Sequence, residues 1–145
     1  MRVYVPVHPS DLAAAVTGQW EPASGYALTA RLLDITAVED EEELVEQVRD
    51  AAAADAVLEL GASRRAVVVV DYPRQDVTPV TGAHPAAVTL EGRVDPGSVA
   101  CAFVDEADGG EDAALAAKGD AEALARLEES DLLWYDASEL AALDL

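Results

Sequence analysis

A chain of 145 residues with 29 acidic and 9 basic side chains carries a formal net charge of −20. Because this field repels phosphate groups, we expect neither direct binding to nucleic acid nor adhesion to an anionic membrane. The length fits a single domain over residues 1–145, and the first residues lack the apolar stretch of a signal peptide, so we expect a cytoplasmic protein.

The first thirty residues predict two strands separated by a short helix. Residues 3–5 are β-rich and are followed by Pro6, which ends the first strand. Residues 10–18 predict a helix with Ser10 as its N-cap and a glycine at its end. Residues 25–29 alternate between apolar and polar side chains and predict the second strand.

The clearest helix of the chain begins at Asp40. Asp40 precedes Glu43 by three residues, which is the spacing of a capping box. The apolar face of this helix is predicted to consist of Leu44, Val45, Val48, Ala52, Ala56 and Leu60. Residues 31–37, just before it, are compatible with one helical turn. A helix between two strands is typical of a crossover unit, so we expect the strands on either side of it to run parallel.

Residues 65–71, from Arg65 to Asp71, contain four successive valines. A strand with one face in water alternates apolar and polar residues, whereas this run leaves neither face suited to water. We therefore expect this strand to lie in the centre of the sheet, with both faces covered.

The second half of the chain predicts shorter elements. Three prolines and a glycine within residues 73–85 predict the longest loop of the protein. The other predicted elements are strands at 87–90, 99–104 and 132–135, a turn at 95–98, a flexible acidic connector at 105–110, two short helices or one kinked helix at 111–127, and a last helical turn whose capping box joins Asp136 to Glu139. The whole pattern predicts an α/β (α+β) fold with a mixed sheet of about five or six strands and helices packed on it.

Several segments together resemble an uncharacterised family of small acidic actinobacterial proteins. They are residues 1–6 (MRVYVP), 26–29 (YALT), 40–44 (DEEEL), the valine run, and residues 132–135 (LLWY). The likeness spans nearly the whole chain and departs from the family pattern at residues 33–35, where an aromatic pair is expected. Since no activity is known for that family, the resemblance implies a bacterial cytoplasmic setting and no catalytic residue.

Asp71 is the first candidate for a ligand contact. Ligands of open α/β sheets gather at the carboxyl ends of strands, and Asp71 directly follows the valines. The companion motifs are absent, because Pro73 stands where a phosphatase of the haloacid dehalogenase type needs a second acid, and Lys118 lies in no P-loop. A solvated acid at the end of a strand is the alternative.

Arginines and a histidine of the middle third could complete a ligand site beside Asp71. Arg65 or Arg74 together with Arg93 could receive an anion, and His84 could bind a ligand or move protons. The alternatives are surface arginines paired with the abundant carboxylates and a histidine without a role.

No other pattern in the sequence predicts a reaction centre. The acids around residues 105–112 do not have the order of a calcium-binding loop, and Cys101 lies in an apolar run where a buried thiol is expected. We predict no catalytic residue, no metal site and no cofactor.

Trp134 and Tyr135 lie on opposite faces of the last predicted strand, so that one of them could be an exposed contact residue. Our first hypothesis is a non-enzymatic binding or regulatory protein that docks a partner with a basic surface. The second is a small-molecule-binding protein or enzyme with a pocket at Asp71. A homodimer is also open, and the acidity could instead reflect solubility or adaptation to high salt.

Overall fold

The computed structural model describes residues 1–35 and 40–143, and within them the chain forms one sheet with helices packed on it. The strands are β1 (Arg2–Pro6), β2 (Ser24–Ala27), β3 (Ala66–Asp71), β4 (Val77–Pro79), β5 (Ala87–Leu90), β6 (Val99–Asp105) and β7 (Leu132–Asp136). The α-helices are α1 (Ala30–Ile35), α2 (Glu41–Leu58), α3 (Gly110–Ala117) and α4 (Ala121–Leu127). The predicted helical turn at 31–37 corresponds to α1, and its last two residues lie outside the described residues.

The sheet has the strand order β4-β5-β2-β1-β3-β6-β7. This confirms the predicted α/β fold class, with seven strands rather than five or six. Each neighbouring pair is antiparallel, so the expectation of a mixed sheet was wrong. The cause is β1, which lies between β2 and β3 and runs against both. β2 and β3 therefore run parallel, as the crossover pattern predicts, but they are not neighbours.

The valine strand β3 lies inside the sheet, between β1 and β6, and its valines are buried on both faces. Val67 and Val69 pack in the cluster that includes Val48 of α2. Val68 and Val70 pack in the cluster on the opposite face. The prediction of a central, doubly covered strand is confirmed.

Helix α2 begins after Asp40, whose carboxylate accepts a hydrogen bond from the backbone N–H of Glu42 at 2.9 Å. Leu44, Val48, Ala52 and Ala56 are buried, as their spacing predicts. The expectation for Leu60 was wrong: the helix ends at Leu58, and Leu60 lies beyond it with 41% of its surface exposed.

The predicted helix at residues 10–18 consists of two 3₁₀ segments, Pro9–Asp11 and Ala13–Val16. Ser10 lies inside the first segment and is not its N-cap, a position that His8 occupies without a side-chain hydrogen bond. Leu12 and Ala15 are both buried. Their three-residue spacing suits a 3₁₀ turn as well as an α-helix, and an α-helix here would lack the stabilising contact of a side-chain N-cap.

The proline-rich loop contains the 3₁₀ segment Arg74–Asp76 and the short strand β4, which pairs with β5 at one edge of the sheet. Pro79 is accommodated there because an edge strand leaves one row of its backbone unpaired. The two predicted short helices correspond to α3 and α4, and the capping box of Asp136 and Glu139 is present. No helix within the described residues is both long and apolar enough to cross a membrane.

Candidate functional site

A buried ion pair joins the start of the valine strand to the end of β6. Arg65 and Asp105 are 3% and 2% exposed. The guanidinium donates from Nε and Nη2 to the two carboxylate oxygens at 2.9 and 2.7 Å, and the backbone N–H of Arg65 donates to Asp105 Oδ2 at 3.0 Å. Ser130 completes the network, since its carbonyl accepts from Arg65 Nη2 at 3.0 Å and its Oγ lies 3.1 Å from Asp105 Oδ1.

This network corrects two expectations. Asp105 is not part of a flexible connector, because it is the last residue of β6 and is held by several hydrogen bonds. Arg65 is not available to an external anion, because its guanidinium is already bound to Asp105 and to the Ser130 carbonyl. The connector that follows is also anchored, since Gly109 N–H donates to Ser63 O at 2.6 Å.

The ion pair lies beside a cavity of about 420 Å³, which we call the acidic cavity. Its lining consists of Arg49, Asp50, Arg65, Glu128, Ser130, Asp131 and Leu132. Arg49 donates from Nε and Nη2 to Asp50 Oδ1 at 3.2 and 3.1 Å, and Arg65 is neutralised by Asp105. The carboxylates of Glu128 and Asp131 are therefore in excess over the arginines of the lining, so the cavity attracts cationic groups.

Trp134 lies on the same side of the sheet as the acidic cavity. It is opposite Phe103 in the register of β6 and β7, and it shares its face of β7 with Leu132. The guanidinium carbon of Arg49 is 5.2 Å from the centre of the Phe103 ring, a cation–π contact. Trp134 itself is 57% exposed. We call Arg49, Phe103, Leu132 and Trp134 together the Trp134 surface.

Cys101 lies on this face of β6, in the core cluster that includes Val67 and Val69. Burial raises the pKa of its thiol, against a smaller opposing effect from the side chain of Trp134. A thiol with a raised pKa stays protonated near neutral pH and is a poor nucleophile. The thiol therefore contributes packing beneath the Trp134 surface, as the sequence predicts.

The structure brings Asp71 and Arg93 to one small cavity of about 140 Å³, which we call the Asp71 cavity. Asp71 is exposed at the end of β3 and forms an exposed ion pair with Arg2, with 3.1 Å between Arg2 Nε and Asp71 Oδ1. Tyr72 also lines this cavity. Its side chain is buried, and its hydroxyl has no hydrogen-bond partner in the described part of the chain.

The other two predicted ligand contacts lie elsewhere. Arg74 lines a separate cavity of about 340 Å³, together with Arg2. His84 is on an exposed loop, where its Nδ1 accepts the N–H of Ala86 at 3.0 Å and its ring packs edge-on against Tyr26. The predicted group of four is therefore divided among three places. Within residues 1–35 and 40–143, no three His, Cys, Asp or Glu side chains are arranged to hold a metal ion.

Trp134 and Tyr135 lie on opposite faces of β7, as the alternation of a strand predicts. Tyr135 is half-buried against the core cluster of the second face, whereas Trp134 faces outward. Sequence reasoning found Trp134 but missed Arg49, Asp105 and Ser130. The sequence contained one local indication that Arg65 and Asp105 are buried: each directly adjoins an apolar strand segment, Arg65 before β3 and Asp105 at the end of β6.

The fold and these surfaces define an α/β protein with a seven-stranded antiparallel sheet and an acidic cavity next to an exposed tryptophan. The chain belongs to a family of unknown function, DUF6912, whose pattern it matches over residues 1–143. This agrees with the resemblance to an uncharacterised family, while the actinobacterial setting stays a prediction. The comparisons with curated proteins and with solved structures gave no match.

Proposed function

We propose that this protein is a non-enzymatic binding module that docks a partner with a basic surface. The Trp134 surface and the acidic cavity beside it form the docking site. The observation that carries the proposal is the 57% exposure of Trp134 on the same face of β7 as Leu132, which lines the acidic cavity. Tryptophan is enriched among the residues that dominate interface energies, and its burial by a partner removes a large apolar area from water.

The charge of the protein favours a basic partner both at long range and in direct contact. The net charge of −20 attracts a basic protein from several nanometres at low salt and accelerates its association. At contact, Asp50, Glu128 and Asp131 can pair with lysine or arginine side chains. The same field disfavours nucleic acid and anionic membranes as direct partners.

Affinity capture with the immobilised protein tests this proposal, and each captured partner is then purified for titration against the variants. Trp134→Ala removes the exposed ring and is expected to weaken binding by about thirtyfold, the effect of a hot-spot residue. Leu60→Ala is the matched control, because Leu60 is an exposed apolar residue outside the site. Raised salt should also weaken binding.

Equal affinity of wild type and the Trp134→Ala variant for every captured partner would contradict the proposal. The absence of an enriched partner at low salt would also count against it. Circular dichroism and urea unfolding of both variants establish that the exposed substitutions leave the fold intact.

A second candidate function, a small-molecule-binding protein or an enzyme, is favoured by the buried hydroxyl of Tyr72 at the Asp71 cavity. A buried hydroxyl without a partner is costly, and a bound polar molecule could satisfy it. Asp71, Asp76 and Asp95 outnumber Arg93 in the lining, which favours a small protonated amine. Titration with ethanolamine, followed by NMR, should shift the amides of residues 71 and 93, with phosphate as the anionic control. Loss of this shift in the Tyr72→Phe variant would support the candidate, whereas the absence of any shift would contradict it.

A further inference from the structure

We propose that β7 binds an extended basic segment of the partner as an eighth strand of the sheet. This inference rests on the proposed docking function and specifies the form that the partner takes at the Trp134 surface. In strand addition, main-chain hydrogen bonds contribute affinity, and alternate side chains contribute specificity.

The two edges of the sheet differ in how they are protected. At one edge, β4 has three residues and includes Pro79, and both features discourage pairing with another chain. At the other edge, β7 has five residues, Leu132–Asp136, with neither proline nor lysine. The β7 edge therefore lacks the protection that proline, lysine or a very short strand gives.

The backbone of β7 presents pairing groups to solvent. Glu106 N–H donates to Asp131 O at 3.0 Å, which fixes the phase of the ladder between β6 and β7. Because bonded and non-bonded positions alternate in an antiparallel pair, Leu133 and Tyr135 bond to β6. The N–H and C=O groups of Leu132 and Trp134 then point away from the sheet.

The free stretch of this edge has a defined end. The outward N–H of Asp136 is already used, since it donates to Glu139 Oε1 at 3.4 Å in the capping box. In the part of the chain that the structure describes, no strand pairs with the outer side of β7. The pairing groups of Leu132 and Trp134 are thus the ones that an added strand would engage.

The side chains along this edge specify the pattern of the added strand. On one face, Leu132 lines the acidic cavity and Trp134 follows it two residues later, which suits lysine or arginine, and a cation can also bind the tryptophan ring. On the opposite face, Leu133 is 41% exposed and Tyr135 is half-buried, which suits apolar side chains. The matching sequence therefore alternates basic and apolar residues.

Charge selects this occupant over a second copy of the protein. The segment from Asp131 to Asp136 contains two acids and no base. A second copy would add another such segment and a further charge of −20 to the same interface. A basic strand would instead neutralise the carboxylates at the edge.

The test uses a capped peptide of alternating lysine and valine, long enough to span β7, added to the full chain at low salt. Amide hydrogen exchange is followed by NMR. We expect the amides of Leu132 and Trp134 to exchange about tenfold more slowly with the peptide. The amides of Leu133 and Tyr135, already bonded to β6, should change little. Two control peptides should give no protection: one with glutamate in place of lysine, and one with a central proline in place of valine.

Three outcomes would overturn strand addition. The first is binding of the lysine–valine peptide without protection of Leu132 and Trp134, which would leave side-chain docking at the Trp134 surface intact. The second is the absence of binding at millimolar peptide, while capture of a partner still depends on Trp134. The third is protection of both amides without peptide, together with a dimer by light scattering, which would make a second copy the occupant. Loss of the Trp134 dependence of capture would instead contradict the proposed function.

Discussion

Removal of the Asp105 carboxylate should strongly destabilise the protein, because this carboxylate is the partner of a buried charge. Asp105→Ala would leave the guanidinium of Arg65 buried without its counter-charge. Breaking a buried ion pair by removing one partner costs about 3–5 kcal/mol. We expect the free energy of unfolding, measured by urea titration, to fall by about that amount.

Asp71→Ala is the matched control for this prediction, since Asp71 is likewise the last residue of a strand and also pairs with an arginine. Its ion pair with Arg2 is about half exposed on both sides. Exposed pairs contribute about 1 kcal/mol or less, because water and salt screen them. Similar losses of stability in the two variants would contradict the assignment of Asp105 as a buried, essential partner.

Removal of the Tyr72 hydroxyl is expected to raise the stability of the protein, in contrast to removal of the Asp105 carboxylate. Its buried hydroxyl has no partner among the described residues, so Tyr72→Phe removes a group that was desolvated without compensation. We expect the free energy of unfolding to rise by about 1 kcal/mol in urea titration at neutral pH. A loss of stability would mean that the hydroxyl makes a hydrogen bond in solution.

The same residue predicts how stability depends on alkaline pH. Burial raises the pKa of Tyr72 from 10.0 to about 12, with a smaller contribution from the charge of Asp76. Between these values the unfolded chain loses the proton and the folded chain keeps it, so stability falls as pH rises from about 10 to 12. Urea titrations across this range should show a shallower fall in the Tyr72→Phe variant. Part of the fall should remain, because burial also raises the pKa values of Tyr4 and Tyr26.

At the scale of single residues, the sequence predicted whether a side chain is buried better than it predicted which side chains pair with each other. Cys101 in an apolar run was predicted to be buried, and it is. The pairing of Arg65 with Asp105 was not predicted, because it depends on the register between β3 and β6. That register places Ala66 opposite Val104 across nearly forty residues of chain. Local patterns carry no information about such a register.

At the scale of elements, β3 makes the sharpest prediction. Val68→Asp places a carboxylate where the side chain is fully buried among apolar side chains. The free energy needed to bury an unpaired charge exceeds the whole free energy of unfolding of a typical domain, so the variant should not fold. A soluble variant that melts cooperatively, followed by circular dichroism, would refute this prediction. Thr78→Asp, at an exposed position of edge strand β4, is the control and should fold.

The docking of α3 depends on Gly109, directly before the helix. A Cβ at this position would lie 2.6 Å from Leu127 Cδ2 and 2.8 Å from Ser63 O. Its φ of −73° is open to any residue, so lack of space is the reason for glycine here. Gly109→Ala should therefore lower the free energy of unfolding by about 1–3 kcal/mol in urea titration. Gly97→Ala, whose Cβ would meet only a side-chain oxygen at 3.3 Å, is the control and should cost less.

Elements with strong local signals were predictable, and those formed by tertiary pairing were not. The capped helix α2 and the valine strand β3 both follow from spacing and composition alone. Strand β4 has no such pattern, because its three residues become a strand only by pairing with β5. The segment at 10–18 carried a helical signal, but it has no side-chain N-cap and forms two 3₁₀ turns instead.

At the scale of the whole molecule, the candidate site combines distant parts of the chain. Arg49 comes from α2, Phe103 from β6 and Trp134 from β7, and they meet because β6 and β7 extend the sheet beside the helix. The sequence predicted that Trp134 or Tyr135 could be exposed. It could not predict the acidic cavity, since the strand order that forms it is not encoded in any single segment.

The net charge of −20 makes a prediction for the molecule as a whole. Mutual repulsion of the acids is greater in the compact state, so added salt should stabilise the fold. We expect the melting temperature to rise by several degrees between about 10 mM and 0.2 M sodium chloride, where the screening length falls from about 30 Å to below 10 Å. Sucrose at equal osmolality is the control for effects unrelated to charge.

A rise in melting temperature that levels off once screening is complete would indicate an ordinary acidic surface, whereas a rise that continues to molar salt would indicate adaptation to high salt. A melting temperature that stays flat or falls over the low range would contradict the prediction. It would mean that exposed ion pairs such as Arg2–Asp71 and Arg126–Asp112, which salt weakens, outweigh the repulsion among the unpaired acids.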